Sequence, residues 1–262
     1  ERGVIQVILN GWAALALGLA FLWWRQLKSR NATSVDVAWA TGIGLLSIYF
    51  AAVTEGDATR RWVVGGLGAL WAFRLAWHLL RDRVLRHGIE EDGRYKAMRE
   101  HFGKRAQPFF FVFYQGQALV AVLFSLPILF AMQGGAIDAW TLAGVAVWLL
   151  AVAGETIADR QLAAWRADPA NRGRTCRRGL WRYSRHPNYF FEWVHWFSYV
   201  LIGHGAWPTW LGPVLMLVFL FRLTGIPYTE LQALKSRGDD YRAYQRETSV
   251  FFPWFPRKES HA

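Results

Sequence analysis

Cysteine is nearly absent: the 262 residues include one, Cys176. An intrachain disulfide framework and a metal site built from cysteines alone are therefore excluded. Acidic residues are also scarce, with 19 Asp and Glu against 30 Lys and Arg, which leaves a net charge of +11. No GxSxG elbow and no Walker loop occurs. The seven histidines do not form the HxxxH and HxxHH clusters of a di-iron membrane desaturase. Glu192-Trp193-Val194-His195 has ExxH spacing but no second copy, so no metal site is expected. No repeat, low-complexity segment or linker sets off a soluble domain. What the chain has in abundance is large apolar rings: 16 Trp, 18 Phe and 9 Tyr. A disordered chain would carry far fewer.

Seven segments are apolar and long enough to suggest membrane spans, since about 20 helical residues cross a hydrocarbon core of roughly 30 Å. They run Val4–Trp24, Val35–Val53, Trp62–Leu80, Phe109–Met132, Ala139–Ala158, Tyr189–Ile202 and Trp207–Leu223. The sixth is short and holds Glu192 and His195. Tryptophans near the ends, such as Trp23, Trp62, Trp140 and Trp207, suit the headgroup interface. Of the 30 basic residues, 25 fall after spans one, three, five and seven, and only Arg2, Arg60 and Arg61 fall on the other side. Arg74 and Arg222 lie inside spans. The positive-inside rule then places the N-terminus outside and the C-terminus in the cytoplasm. The fold class expected is all-α: a polytopic integral membrane protein with seven transmembrane helices. Residues 1–262 are expected to form one seven-helix membrane domain, with 1–107 and 108–262 as its two parts. The first span lacks the basic start of a signal peptide. Gly42-Ile43-Gly44 and Gly65-Gly66-Leu67-Gly68 lie in spans with no strand before them, so they read as close helix packing and not a nucleotide fingerprint.

Ionisable groups are costly in a span and tend to face a cavity or a partner. Here they are Asp36, Arg74, Glu155, Asp159, Glu192, His195 and Arg222. Snorkelling or capping is the competing reading for Asp36, Asp159 and Arg222, and a structural ion pair for Arg74, Glu155 and Glu192. Glu155 and Asp159 are i and i+4 on one helix face, which Arg166 would continue. Asn188, Glu192 and His195 share another face. Between these two stripes lies Arg160–Arg185, with eight arginines, no lysine and one acid, Asp168. Guanidinium groups hold phosphates in bidentate fashion, although attraction to lipid headgroups also accounts for arginines here. The charge thus points to an anionic ligand or lipid, not to nucleic acid. The run Phe251-Phe252-Pro253-Trp254-Phe255-Pro256 suits a membrane interface.

The stretch from Arg178 to Glu192, reading RGLWRYSRHPNYFFE, resembles the C-terminal signature of the steroid 5-alpha-reductase family, in particular its bacterial membrane branch. Ser34-Val35-Asp36-Val37-Ala38-Trp39 and Thr248-Ser249-Val250-Phe251-Phe252-Pro253-Trp254 extend the resemblance over most of the chain. It implies a bacterial inner-membrane enzyme, a monomer, that uses NADPH to reduce a 3-oxo-Δ4-steroid or another lipid-like enone reached from the bilayer. By the same resemblance the cofactor contacts are Arg74, Glu155, Asp159, Arg166, Arg174, Tyr183, Arg185, His186, Asn188, Glu192 and Tyr241. Catalysis falls to Asp36 and Trp71. The animal enzymes have a tyrosine at the position of Trp71, and an indole donates a hydrogen bond without usefully transferring a proton. Negative charge builds on the ketone oxygen, so a donor there lowers the barrier. Asp36, kept protonated by burial among Val35, Val37 and Trp39, would be that donor. Isoprenylcysteine and phospholipid methyltransferases share an Arg-His-Pro-x-Tyr element and form the competing class, with S-adenosylmethionine as cofactor. A sterol double-bond reductase is a closer alternative, and a lipid-binding scaffold without cofactor is a third.

Overall fold

Every regular element among the described residues is helical. The computed structural model describes residues 2–85, 90–223 and 225–257. In order the helices are α1 (Arg2–Ser29), α2 (Ser34–Val53), α3 (Ala58–Leu79), α4 (Gly93–Phe102), α5 (Ala106–Met132), α6 (Ala139–Ala167), α7 (Pro187–Ile202), α8 (Leu211–Val218) and α9 (Ile226–Glu247). Wider π-type turns extend α3 over Leu80–Leu85 and α8 over Phe219–Leu223.

Six helical stretches are long and apolar enough to cross a membrane. α7, the expected sixth span, is helical but only 16 residues long. At about 1.5 Å per residue it falls short of a full hydrocarbon core. The last stretch is apolar only before Ile226; α9 itself carries eight charged residues and belongs outside the hydrocarbon.

Two compact units emerge, one formed by residues 1–138 with 206–211, the other by 139–205 with 212–262. The boundary expected at 107/108 falls inside the first unit, because α5 packs on α1, α2 and α3. Glycines allow the close approach of α2 and α3. A Cβ at Gly65 would lie 2.7 Å from the Ala51 Cβ, and one at Gly68 would lie 2.7 Å from the Ser47 hydroxyl. In the second unit α6 packs on α7 in the same way, with Gly144 against the Ser198 carbonyl and Gly154 against the Phe191 ring.

Helix ends account for two of the three basic residues on the poorly charged side. Arg60 is buried and donates from Nε to the Ala131 carbonyl (3.2 Å), near the C-terminus of α5. Arg61 donates to the carbonyls of Ala51 and Thr54, at the C-terminus of α2. A guanidinium satisfies carbonyls that lack intrahelical donors and complements the negative end of the helix dipole.

The glycine contacts give a direct test. Gly65→Val should lower the unfolding temperature in detergent, with an overpacking cost of about 1–3 kcal/mol. Gly66→Ala, where nothing lies within 4 Å, should cost no stability. Equal effects would contradict the packing described.

Candidate functional site

In the first unit, an interlocked polar cluster forms where α2 begins. Thr33 Oγ1 accepts from the Asp92 backbone N–H (2.8 Å), and the Ala32 N–H donates to Glu91 Oε1 (2.9 Å). Arg99 grips both oxygens of Glu91, at 3.0 and 2.7 Å. Asp92 caps α4 by accepting from the Arg94 backbone N–H and from its guanidinium. Burial pushes the Asp92 carboxyl up, but the Arg94 hydrogen bonds and charge outweigh burial and hold it below the usual carboxylate range.

Asp36 lies in the first turn of α2 and accepts from three donors: Arg94 Nη2 (2.8 Å), Tyr95 OH (2.6 Å) and Arg83 Nη1. Both carboxylate oxygens are thus acceptors. The sequence suggested an apolar setting among Val35, Val37 and Trp39; the structure surrounds the carboxyl with polar partners instead. A carboxylate between two guanidiniums and a phenol acts to hold those groups. Trp71 is buried on α3, and Arg74 follows it by three residues on the same face, half-buried.

The second unit builds its polar site on α6 and α7. Asn188 Nδ2 donates to Asp159 Oδ1 (3.1 Å), which ties the two helices together. Glu155 lies one turn before Asp159, and Glu192, one turn after Asn188, is buried. His195 is fully buried and pairs its Nε2 with Tyr199 OH at 3.2 Å. After α6 the chain turns at Asp168–Asn171 and then docks on its own helix. Trp181 Nε1 donates to the Ala158 carbonyl (2.8 Å), and the Leu180 N–H donates to Gln161 Oε1 (2.8 Å). Gly179 is required here, because its φ of +58° is left-handed and a Cβ would strike the Gln161 side chain. Arg166 and Arg174 are exposed. Arg166 lies within electrostatic range of both Arg237 and Asp159.

Arg185, His186 and Tyr241 converge on a residue that the sequence did not single out, Glu230 of α9. Arg185 meets its two oxygens at 2.9 and 3.2 Å. His186 Nε2 lies 3.0 Å from Oε1, Tyr241 OH donates to Oε1 (2.8 Å), and Gln245 donates to Oε2. The other Arg185 nitrogen, Nη1, donates to the carbonyls of Gln245 and Thr248. These three residues, expected at the cofactor, are thus committed to an internal junction between the Ser184–His186 turn and α9. Tyr183 takes part through its carbonyl, which accepts from the Trp254 N–H (2.9 Å). Burial raises the Glu230 pKa, but the bonds from His186, Gln245 and Tyr241 and the charge of Arg185 outweigh it and bring the value to about 2. Nothing local marks Glu230: it is 45 residues from Arg185, in a helix with seven other charged side chains. Among the described residues, no group of three or more His, Cys, Asp or Glu is placed to hold a metal.

The family described as "protein of unknown function (DUF1295)" matches residues 21–248. An uncharacterised protein of Schizosaccharomyces pombe is 27% identical over 266 residues, covering 88% of this chain and 75% of its own length. No solved structure matches.

The depressed Glu230 pKa fixes a sign. An acid lowered by folding contributes stability that is full above its unfolded value near 4.5 and is lost as pH falls toward about 2. Thermal unfolding of the wild type should therefore weaken over that window, with a smaller slope in Glu230→Gln. At neutral pH Glu230→Gln should destabilise by about 3 kcal/mol, because it leaves the Arg185 charge without its counter-ion. An unchanged pH slope would contradict the junction described.

Proposed function

The chain belongs to the DUF1295 family, which includes steroid 5-alpha-reductase-like proteins, and on that footing we propose that it is an NADPH-dependent membrane reductase of lipid-like enones, 3-oxo-Δ4-steroids among them. The observation that carries this reading is the α6–α7 pair. Two helices of otherwise apolar character present Glu155, Asp159, Asn188 and Glu192, joined by the Asn188–Asp159 bond, and exposed guanidiniums follow on the loop side. That donor set fits NADPH: carboxylates and an amide suit a carboxamide and ribose hydroxyls, and guanidiniums suit phosphates. Glu155, Asp159, Asn188 and Glu192 would hold the uncharged parts, with Arg166 and Arg174 on the phosphates. Arg185, His186 and Tyr241 would shape the site through Glu230, because their polar atoms are already engaged.

NADPH when bound would supply a hydride. The chain's own contribution is to bind the enone in an apolar setting, exclude water and place a donor toward the ketone oxygen. Trp71 is the donor in this reading. Asp36 is a positioning residue that holds Tyr95, Arg83 and Arg94. In the same reading α7 enters the membrane as a short seventh segment, the N-terminus is outside, the C-terminus is cytoplasmic, and the host membrane is a bacterial inner membrane.

Small molecules released when the detergent-purified protein is denatured should include NADP(H). S-adenosylmethionine or its demethylated product in that place would replace the reductase with a methyltransferase. Asn188→Ala should weaken NADPH binding about tenfold, or about 1.4 kcal/mol, in a titration followed by fluorescence. Undiminished affinity would remove α6–α7 as the site.

A further inference from the structure

The C-terminal segment 248–257 combines a fixed backbone with outward-facing rings. Its polar atoms are bonded to the rest of the second unit. Ser184 Oγ donates to the Phe251 carbonyl (2.8 Å), and the Arg185 N–H donates to the Ser249 carbonyl (2.9 Å). The Trp254 N–H donates to Tyr183 and the Arg257 N–H to Glu247, each at 2.9 Å. One ring points inward: Phe251 is 1% exposed and packs against Phe190, Trp193 and Phe221 at 5.3–5.9 Å between centroids. The others are largely exposed, although Phe252 also meets the edges of Phe190 and Trp193 and Phe255 meets Tyr183. Phe252, Trp254 and Phe255 are 58%, 73% and 76% exposed. Backbone bonds at 251, 254 and 257 hold the segment that carries these rings in place.

The neighbourhood identifies the partner. Phe251 rests on the turn that ends the last apolar stretch and on α7, so the exposed rings continue an aromatic cluster at the edge of membrane-embedded helices. Exposed guanidiniums flank them. Arg182 precedes Tyr183, Arg222 follows Phe221, and Arg257 closes the segment. The nearby Glu247 carboxylate is already bonded by Arg177. Aromatic rings bordered by arginines match the boundary between acyl chains and anionic headgroups. We propose that residues 252–257 dock into the phospholipid interface of the membrane the chain spans, with the rings at the acyl boundary and the arginines on lipid phosphates. Because the same segment bonds Tyr183, Ser184 and Arg185, lipid docking holds that turn in place.

The test places an environment-sensitive nitrobenzoxadiazole label at Phe255→Cys, in a Cys176→Ser background, in vesicles of phosphatidylcholine and phosphatidylglycerol. Expected are blue-shifted emission and at least about twofold stronger quenching by shallow spin-labelled lipid than for a label at the exposed Asp239. Equal quenching of both labels by aqueous iodide overturns the proposal. Should the cysteine replacement fail to fold, amide exchange in the native-cysteine protein decides. The double variant Trp254→Ser, Phe255→Ser in bilayers should exchange about tenfold faster at Arg185 and at residue 254. Unchanged exchange there overturns it equally.

Discussion

Acid is the scarce ionic partner in this protein. With 19 carboxylates for 30 cations, several acids are shared among two or more donors. Asp36 serves Arg83, Arg94 and Tyr95. Glu230 serves Arg185, His186, Tyr241 and Gln245. Arg177 draws on Glu247 and on Asp240, whose other oxygen accepts from the Thr175 N–H. Sharing has a physical reason: a half-buried guanidinium without a counter-ion costs several kcal/mol, and one carboxylate with two oxygens can neutralise and orient more than one donor. The junctions that result hold the loops to the helices in each unit. The excess of positive charge is left on the surface, where Arg166, Arg174 and Arg178 are exposed. A net charge of +11 is therefore the remainder after the internal junctions are satisfied, and part of it is concentrated after α6.

Much of this was legible from the residues alone, wherever the deciding interaction is local or periodic. Apolar runs located the long helices, although α6 continues nine residues past the expected end at Ala158, to Ala167. The glycines at 65 and 68 foretold close packing, because a missing side chain is visible in sequence. Spacing puts Asp159 and Asn188 on the polar stripes of two successive helices, and the structure joins them. The misses share one cause, partners distant in sequence. Tyr95 and Arg94 reach Asp36 across 59 and 58 residues, and no periodicity links them. Glu230 sits among other charges in α9, so only the folded chain shows that it is buried by four donors. The apolar neighbours of Asp36 in sequence suggested an apolar setting, but side chains beside it in the chain point elsewhere around the helix. The shortness of α7 was visible; that it forms a helix of 16 residues beginning at Pro187 follows from a proline suited to the first turn.

The two units divide the chemistry. In the first, Trp71 and Arg74 lie on one α3 face, and the Asp36 cluster fastens α4 to the start of α2. In the second, the α6–α7 polar pair stands next to a loop whose arginines split into two groups. Arg177 and Arg185 are consumed by carboxylates; Arg166 and Arg174 are exposed. Family resemblance alone would have treated these arginines alike. Their partners separate those that build the site from those available to a ligand, and the Glu230 junction links the builders to the aromatic C-terminal segment.

In the proposed reading the arginine excess beside α6 and α7 holds a phosphorylated dinucleotide. Equilibrium titration of the purified protein with NADPH and with NADH, at low and high salt, tests it most directly. The account predicts saturable NADPH binding at least about tenfold tighter than NADH, weakening as salt screens the guanidiniums. Absence of NADPH binding, or equal and salt-independent affinity for both, would contradict it.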